Sequence, residues 1–400
     1  MTQQFISGNH WLEPVWPSPG FPASILRTAE TLSFRAGKLT GLLPENTAIR
    51  IGGLMRITNS YYSNLIEGQF TEPATLSARV PRRDSKHLRE LAESHIGVQE
   101  LLERAVRRPK SIEASWGVFF APELISVIHR RLFASASDED LRLSDGRLLV
   151  SGQLRDVAQR NVLVGDHAAP AWESVTPMLK RLQQVYGGQP DQTSRVLSAL
   201  AYHHRLAFVH PFEDGNGRVV RMATHLQLMR LGLASPLWSL SRGLARKQDE
   251  YYGRLRAADQ PRRGDLDGRG QLTQRGLFEF VEFMLQVCID QMDYVEQSMG
   301  LVSLRQRLER VIGLESRFIE SGVKQDMAKA IHILLTQGEV ARADFKTFSG
   351  LHDRVASDQL KKLIDMGVVE APSAKSRSIF PGLPVWFAQM IFPDLHRRFY

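Results

Sequence analysis

The amino-acid sequence predicts a mainly α-helical protein with two or three domains. Apolar side chains recur at helical spacing in residues 194–209 and 219–231, and the apolar run at 276–295 is suited to a core helix. Runs typical of β-strands are short and lie near 162–164 and 368–380. The chain has 400 residues, more than one modest hydrophobic core accommodates. We therefore expect a helical core flanked by smaller modules.

The composition is that of a soluble globular protein, with 43% hydrophobic and 24% charged residues. Apolar runs stay below transmembrane length, and residues 1–20 lack the apolar centre of a signal peptide, so we expect a cytoplasmic protein without membrane contact. Cys288 is the single cysteine, which rules out an intrachain disulfide and suits a reducing compartment. The net charge of +8 hints at an acidic partner but does not identify one.

The richest cluster of functional residue types lies where one predicted helix ends and the next begins. It reads His210-Pro211-Phe212-Glu213-Asp214-Gly215-Asn216-Gly217-Arg218, and Arg221 follows three residues later. The loop leads into a helix N-terminus, where free N–H groups and the helix dipole favour anions. Gly215 and Gly217 lack a Cβ, so a phosphate can approach the backbone. Arg218 and Arg221 lie one turn apart on one helix face and can reach successive phosphates.

Two other residues of this cluster supply further chemistry. Asp214 offers a hard oxygen ligand suited to Mg²⁺ (or Mn²⁺), which bridges phosphate oxygens. His210 has the side chain whose ordinary pKa suits it to deprotonate a hydroxyl near neutrality. The spelling GxxxxGK[ST] is absent, which excludes a P-loop. The cluster therefore favours a transferase that uses ATP and a divalent cation.

The cluster resembles the signature of the Fic family, HxFx(D/E)GNGRxxR, at every specified position. The resemblance implies an all-helical core and ATP as the substrate. It also implies that AMP is transferred to a Tyr, Thr or Ser hydroxyl of a target protein, or of the enzyme itself, while pyrophosphate leaves.

The same resemblance implies roles for single residues. His210 would be the general base, and Asp214 would hold Mg²⁺. Arg218 would contact the β-phosphate region and Arg221 the γ-phosphate. The α and β phosphates would be seated by Asn216 and by the backbone of Gly215 and Gly217.

A predicted helix at residues 46–66 carries a second pattern near its end. Ser63 and Glu67 are four residues apart and share a helix face. The string from Ser63 to Gly68 resembles the inhibitory motif of the Fic family, (S/T)xxxE(G/N). We hypothesise that Glu67 pairs with Arg221 and occupies the guanidinium that a γ-phosphate needs. The alternative is a solvent-facing Glu67, with Gly68 as a simple helix C-cap.

A short hairpin is predicted between these two patterns. Its β-like run and turn are Val162, Leu163, Val164 and Gly165. The stretch resembles the family's flap, which aligns the target backbone by β-augmentation, although a surface hairpin without a partner is the alternative. Further along, Tyr251 and Tyr252 lie in a helical stretch and could pack against adenine. An aromatic pair buried in the core is the alternative for these two residues.

Three regions follow from these patterns. Residues 1–110 form an N-terminal region whose inhibitory helix spans about 46–67, and residues 111–300 form the catalytic core. Residues 301–400 contain a connecting helix, expected at 305–318, and a small C-terminal module at 324–384.

The C-terminal module resembles a winged helix-turn-helix. Helices are expected at 328–335, 342–348 and 353–366, with a wing near 368–380. DNA contacts would fall to Arg354, Lys361, Lys362, Lys375 and Arg377. Acidic residues dilute the positive charge of the third helix, so protein contacts or homodimerisation are the alternative.

Two classes of function therefore remain open. The first is an AMP transferase restrained by its N-terminal helix, with removal of AMP as a variant in which Glu67 positions a water. The second is a DNA-binding transcriptional regulator that uses the Fic-like core as a nucleotide sensor. The intact set of His210, Asp214 and Arg221 favours the enzyme, because a pure sensor does not need all three.

Overall fold

The computed structural model describes most of the chain, and helices dominate it. The described residues are 5–41, 43–73, 76, 86–107, 115–164, 167–233 and 238–397. Within these ranges, every helix is too short or too polar to span a membrane.

The helices described between residues 23 and 299 form one bundle. In chain order they are α1 (Ala23–Thr40), α2 (Glu45–Ile66), α3 (Lys86–Arg107), α4 (Pro122–Leu132), α5 (Trp172–Gly187), α6 (Gln192–Val209), α7 (Asn216–Arg230), α8 (Leu240–Arg246), α9 (Gln248–Ala258) and α10 (Gln274–Met299). Helices α6 and α7 pack against each other, and α3, α4, α5 and α10 surround them. Most side chains of α6 and α7 are buried, so the turn between them is held inside the bundle.

The two central helices have clear local boundaries. The Asp191 side chain accepts a hydrogen bond from the Ser194 backbone N–H at 2.8 Å and caps the start of α6. The helix ends at His210, which adopts a left-handed conformation with φ 50° and ψ 62°. Gly215 has φ 77°, and its carbonyl accepts the first bond of α7, from the Val219 N–H. Helix α7 therefore begins three residues before the predicted 219–231.

A two-stranded antiparallel hairpin precedes α5. It consists of β1 (Leu163–Val164) and β2 (His167–Ala168), with Leu163 opposite Ala168. Val162 lies just before β1, and its carbonyl accepts a hydrogen bond from the Ala169 N–H at 3.3 Å. The predicted turn residue Gly165 lies outside the described residues.

The C-terminal part contains further helices and a small sheet. Its elements are α11 (Leu301–Leu314), α12 (Ser316–Glu320), α13 (Met327–Gln337), β3 (Val340–Ala341), α14 (Arg342–Ser349), α15 (Asp353–Asp365), β4 (Val369–Glu370), β5 (Ser378–Pro381) and α16 (Val385–Ile391). The three strands form an antiparallel sheet in the order β3-β5-β4. The single connecting helix expected at 305–318 is divided, because Glu315 is extended; Phe318 then packs against Trp386, with ring centroids 5.5 Å apart.

The C-terminal part contacts α2 along its length. At the start of α2, the Thr47 hydroxyl donates to the Leu335 carbonyl at 2.8 Å, and Arg50 pairs with Glu370 at 2.5 Å. Near its end, the Tyr62 hydroxyl donates to the Leu395 carbonyl at 3.1 Å and accepts from the Arg397 N–H at 2.9 Å. Helix α2, predicted from its own periodicity, is thus fixed by residues some 300 positions away.

Burial affects several histidines in the same direction. It lowers the pKa of His95, His210 and His396 to about 3 and that of His129 to about 4. Positive neighbours add to the effect at each of them. The imidazoles are therefore neutral in the folded protein at pH 7.

We predict that the free energy of unfolding falls as the pH decreases from 6.5 to 4.5. At a pH between the folded and unfolded pKa values of a histidine, the unfolded chain binds more protons than the folded one, so acidification lowers the free energy of unfolding. Each such histidine contributes a loss of up to about 1.4 kcal/mol for each pH unit. The carboxylates with lowered pKa, such as Glu103, add to this loss only below their ordinary pKa of 4.5. Urea unfolding at pH 7.5, 6.0 and 5.0 measures the effect, and constant stability over this interval would contradict it.

Candidate active site

The turn between α6 and α7 borders an open cavity of about 310 Å³. Its wall includes Glu67, His210, Gly217, Arg221, Tyr251 and Tyr252. Larger clefts, of about 530, 430 and 370 Å³, lie elsewhere and are not lined by residues of the 210–221 cluster. The structure therefore brings the predicted base, the glycine backbone, the second arginine and the predicted inhibitory glutamate to one cavity.

His210 is held at this cavity as a neutral ring. Burial, together with the positive charge of Arg155 and the nearby His167, lowers the pKa of its imidazole to about 3. A neutral imidazole can accept a proton, which a protonated one cannot. The left-handed backbone of His210 ends α6 at this residue and turns the chain toward Phe212.

The loop after His210 is held in place by His129 and Phe133. The His129 ring stacks on Phe212 at 4.0 Å, and its Nε2–H donates to the Asp214 carbonyl at 3.0 Å. Gly215 lies against Phe133, where an added Cβ would approach a ring carbon to 2.6 Å. A glycine is therefore required at this position both by its positive φ and by the close contact with Phe133.

The side-chain amide of Asn216 is hydrogen-bonded within the loop. Its Oδ1 accepts from the Phe212 N–H and its Nδ2 donates to the Phe212 carbonyl, both at 2.9 Å. Asn216 is buried by these contacts. Its side-chain bonds close the segment from Phe212 to Asn216 into a ring and so fix the shape of this loop.

Arg218 and Arg221 are both buried, and they have different surroundings. The Arg218 guanidinium lies over the Phe133 ring at 4.6 Å and reaches the Asp214 carboxylate at 3.4 Å. The Arg221 side chain is only 2% exposed. Its Nε donates to the Ser63 hydroxyl at 3.0 Å and its Nη2 to the Ser63 carbonyl at 2.9 Å.

Glu67 completes the environment of Arg221. Its Oε1 accepts from Arg221 Nη2 at 2.6 Å, and its side chain is 31% exposed toward the cavity. The same oxygen lies over the first turn of α7, because a Cβ added to Gly217 would be 2.2 Å from it. The Glu67 carboxylate thus occupies the helix N-terminus where an anion is stabilised. Gly68 follows with φ 75°, as expected for the residue after a helix end.

Tyr251 and Tyr252 both border the cavity, but their hydroxyls have protein partners. Tyr251 is buried, and its hydroxyl is 2.8 Å from Nε2 of His203. The Tyr252 hydroxyl donates to the Ile66 carbonyl at 3.1 Å, next to Glu67. Tyr251 is therefore part of the core as well as of the cavity wall. Tyr252 links α9 to the end of α2.

Asp214 is the residue predicted to hold a divalent cation. The Asp214 side chain is 57% exposed, so its carboxylate is accessible from the loop. The described residues contain no group of three or more His, Cys, Asp or Glu side chains suited to a metal. One accessible carboxylate fits Mg²⁺ that keeps several waters and takes other ligands from nucleotide phosphates.

The sequence analysis did not predict a role for Arg155, which is buried beside the turn between α6 and α7. Its Nε donates to the His210 carbonyl at 2.8 Å, and its Nη2 donates to the carbonyls of Val209 at 3.0 Å and Pro170 at 2.8 Å. Burial lowers the pKa of this guanidinium to about 10. An arginine in a loop 55 residues before His210 carries no local signal of this contact.

His129, His167 and Asp259 were also missed. His129 braces the Asp214 loop, and His167 lies on β2 with its ring 5.1 Å from the Phe208 ring. Asp259 follows α9 and pairs with the buried His204 at 3.0 Å. All three come from separate parts of the chain, so only the tertiary structure reveals that they surround the His210 turn.

Part of the chain matches a known family, and the fold is similar to solved structures. Residues 119–228 match the Fic/DOC family. The fold is similar to that of a Fic-domain signaling protein from Bacteroides thetaiotaomicron (TM-score 0.51, 18% identity, 67% of this chain and 96% of that chain). It is also similar to Fic-1 residues 134–508 from C. elegans (TM-score 0.52, 18% identity, 69% of this chain and 73% of that chain).

Curated relatives cover less of the chain. A protein named protein adenylyltransferase Fic from Nematostella vectensis is 27% identical over 199 residues, which are 48% of this chain and 41% of the relative. Its namesake from Drosophila melanogaster is 27% identical over 109 residues, which are 27% of this chain and 20% of the relative. The chain thus matches less than half the length of these relatives. It contains a Fic/DOC family domain, built around the α6–α7 turn.

We predict that Arg155→Lys destabilises the protein. A lysine ammonium cannot donate to three separated carbonyls, so at least one buried acceptor loses its partner, at about 1–3 kcal/mol. Urea unfolding of the purified variant measures the loss. Arg142→Lys is the matched control, because Arg142 is exposed and donates to a single carbonyl, that of Gly146; we expect a change within about 0.5 kcal/mol there. Equal stability of the two variants would contradict the bracing role of Arg155.

Proposed function

We propose that this protein transfers AMP from ATP to a Tyr, Thr or Ser hydroxyl of a protein, in the cytoplasm. The observation that carries the proposal is the convergence of a neutral His210, the α7 N-terminus at Gly217 and the buried Arg221 on one cavity. The relatives named protein adenylyltransferase Fic support the same reaction class.

The proposed reaction is an in-line displacement at the α-phosphorus. The acceptor oxygen forms a bond to this phosphorus, the bond to the bridging oxygen of the β-phosphate breaks, and pyrophosphate leaves. His210 takes the hydroxyl proton as the new bond forms. Arg218, Arg221 and the N–H groups at the start of α7 stabilise the negative charge on the phosphates. Asp214 would hold Mg²⁺, which when bound neutralises part of that charge.

We further propose that the form seen here is autoinhibited. Arg221 would meet the γ-phosphate, and its guanidinium already has the Glu67 carboxylate at 2.6 Å. The same carboxylate covers the Gly217 backbone. An ATP molecule that enters this cavity would meet a negative charge where its terminal phosphate belongs. Its α-phosphorus would then be held away from the geometry needed for attack.

The C-terminal module is proposed to make protein contacts. The element order from α13 to β5 supports the winged-helix interpretation. However, two basic residues of the module are paired within it, Lys362 with Asp358 at 2.9 Å and Lys346 with Asp353 at 2.5 Å. These pairs weaken the positive surface that phosphate binding needs. Salt-sensitive retention of a DNA duplex by the full chain would contradict this assignment.

We expect Glu67→Gly to increase AMP incorporation at least about tenfold, because a γ-phosphate contact with Arg221 becomes available. Incorporation is measured with α-labelled ATP, Mg²⁺ and a cell lysate as acceptor. Glu67→Gln keeps the volume without the charge and should give an intermediate increase. If Glu67→Gly leaves incorporation unchanged while release of AMP from a modified protein stops, Glu67 serves removal of AMP instead.

In the Glu67→Gly form, we expect His210→Ala to reduce transfer by about 100-fold or more while ATP affinity stays within about twofold. The imidazole takes a proton and is not needed to hold the nucleotide. Arg221→Ala, by contrast, should weaken ATP binding about tenfold or more through loss of a charge-assisted contact. Isothermal titration with Mg-ATP separates the two variants. Loss of ATP binding in His210→Ala would argue against the base assignment.

A further inference from the structure

The end of α6 beside His210 is capped by side chains from the hairpin region. Helix termini leave their last carbonyls without partners in the helix. Here three successive carbonyls have donors. The Phe208 carbonyl accepts from His167 Nε2 at 2.9 Å, and the carbonyls of Val209 and His210 accept from Arg155 at 3.0 and 2.8 Å. The two residues before His210 and His210 itself are therefore tied to the hairpin and to the loop before it.

The hairpin depends on such external contacts. Each of its strands has two residues, and a two-stranded hairpin of this kind is marginally stable alone. Leu163 on β1 is 50% exposed, so this side chain has little core contact. On β2, His167 lies in the position opposite Val164, and its ring packs against Phe208. His167 thus connects β2 to α6.

Asp259 lies beside the same ring. Because a carbonyl only accepts, the bond to Phe208 requires a hydrogen of His167 on Nε2. Its Nδ1 is 3.6 Å from Asp259 Oδ2, which is too far for a hydrogen bond. Asp259 is bound instead to α6, since its Oδ1 accepts from Nε2 of the buried His204 at 3.0 Å. The bond from His167 to the Phe208 carbonyl is therefore the contact that carries the argument.

We propose that His167 is a positioning residue that fixes β2 against the end of α6, so that an acceptor segment aligned by the hairpin and the His210 imidazole keep one register. The alignment of an acceptor segment rests on the proposed transfer reaction. The attachment of β2 to α6 by His167 does not depend on that reaction. A displacement of about 1 Å between reacting groups lowers rates by about 100-fold, which makes such an anchor effective.

The first experiment measures steady-state transfer in the Glu67→Gly form. With α-labelled ATP and cell lysate as acceptor, His167→Ala should lower the maximal rate about tenfold or more, with the KM for ATP within about twofold. His167→Gln should restore most of the rate, because its side-chain amide can donate to the Phe208 carbonyl. His352→Ala is the matched control, an exposed histidine in the C-terminal module. An undiminished rate in His167→Ala would overturn the proposal, as would an equal loss in the Gln variant.

The second experiment does not depend on activity. Hydrogen–deuterium exchange of peptides covering residues 167–172 should be faster in His167→Ala than in the parent, and close to the parent in His167→Gln. The Ala169 N–H, bonded to the Val162 carbonyl, reports the hairpin directly. If the parent Glu67→Gly form transfers no AMP, the proposed function fails and the exchange result still decides the anchoring. Exchange that is unchanged in His167→Ala would overturn it.

Discussion

The buried guanidinium of Arg221 is the feature on which the site depends. A charge removed from water needs an opposite charge and hydrogen-bond acceptors, or its burial costs several kcal/mol. In this structure Glu67 supplies the charge, while the Ser63 hydroxyl and carbonyl supply acceptors. The end of α2 thereby becomes part of the site on α7. The terminal phosphate of a nucleotide offers the same combination of charge and acceptors, so in the proposed autoinhibition the carboxylate and the phosphate would compete for the Arg221 guanidinium.

The contacts of α2 bear on how Arg221 would be released from Glu67 in the proposed autoinhibition. Thr47 and Tyr62 hydrogen-bond to the C-terminal part, and Arg50 forms an ion pair with it. Displacing the whole helix would break these contacts together with its buried face. Glu67, by contrast, is the C-cap of α2 and is partly exposed. Rotation of its side chain about its own bonds leaves Ser63 and the helix in place, so it is the less costly way to free Arg221.

The sequence predicted what depends on local pattern. Helix α2 begins and ends within one residue of expectation, and the 210–221 cluster lies where two helices meet. Partners set by tertiary contacts were not predictable. Arg155 and His167 converge on the end of α6 from a separate loop and strand, and no spacing rule links them to His210. The sequence does not indicate that the Asn216 amide binds the Phe212 backbone, because an asparagine side chain can form hydrogen bonds with many donors and acceptors.

The caps on α6 also explain why a histidine at a helix C-terminus stays neutral. The helix dipole by itself favours a protonated imidazole at this end. Arg155 opposes that preference, because its guanidinium binds the Val209 and His210 carbonyls and places a positive charge beside the ring. Burial is the larger cause of the lowered pKa of His210, and together the two outweigh the hydrogen bond with the Ala207 backbone, which raises that pKa. The contact that fixes the position of the imidazole therefore also keeps it in the form that can accept a proton.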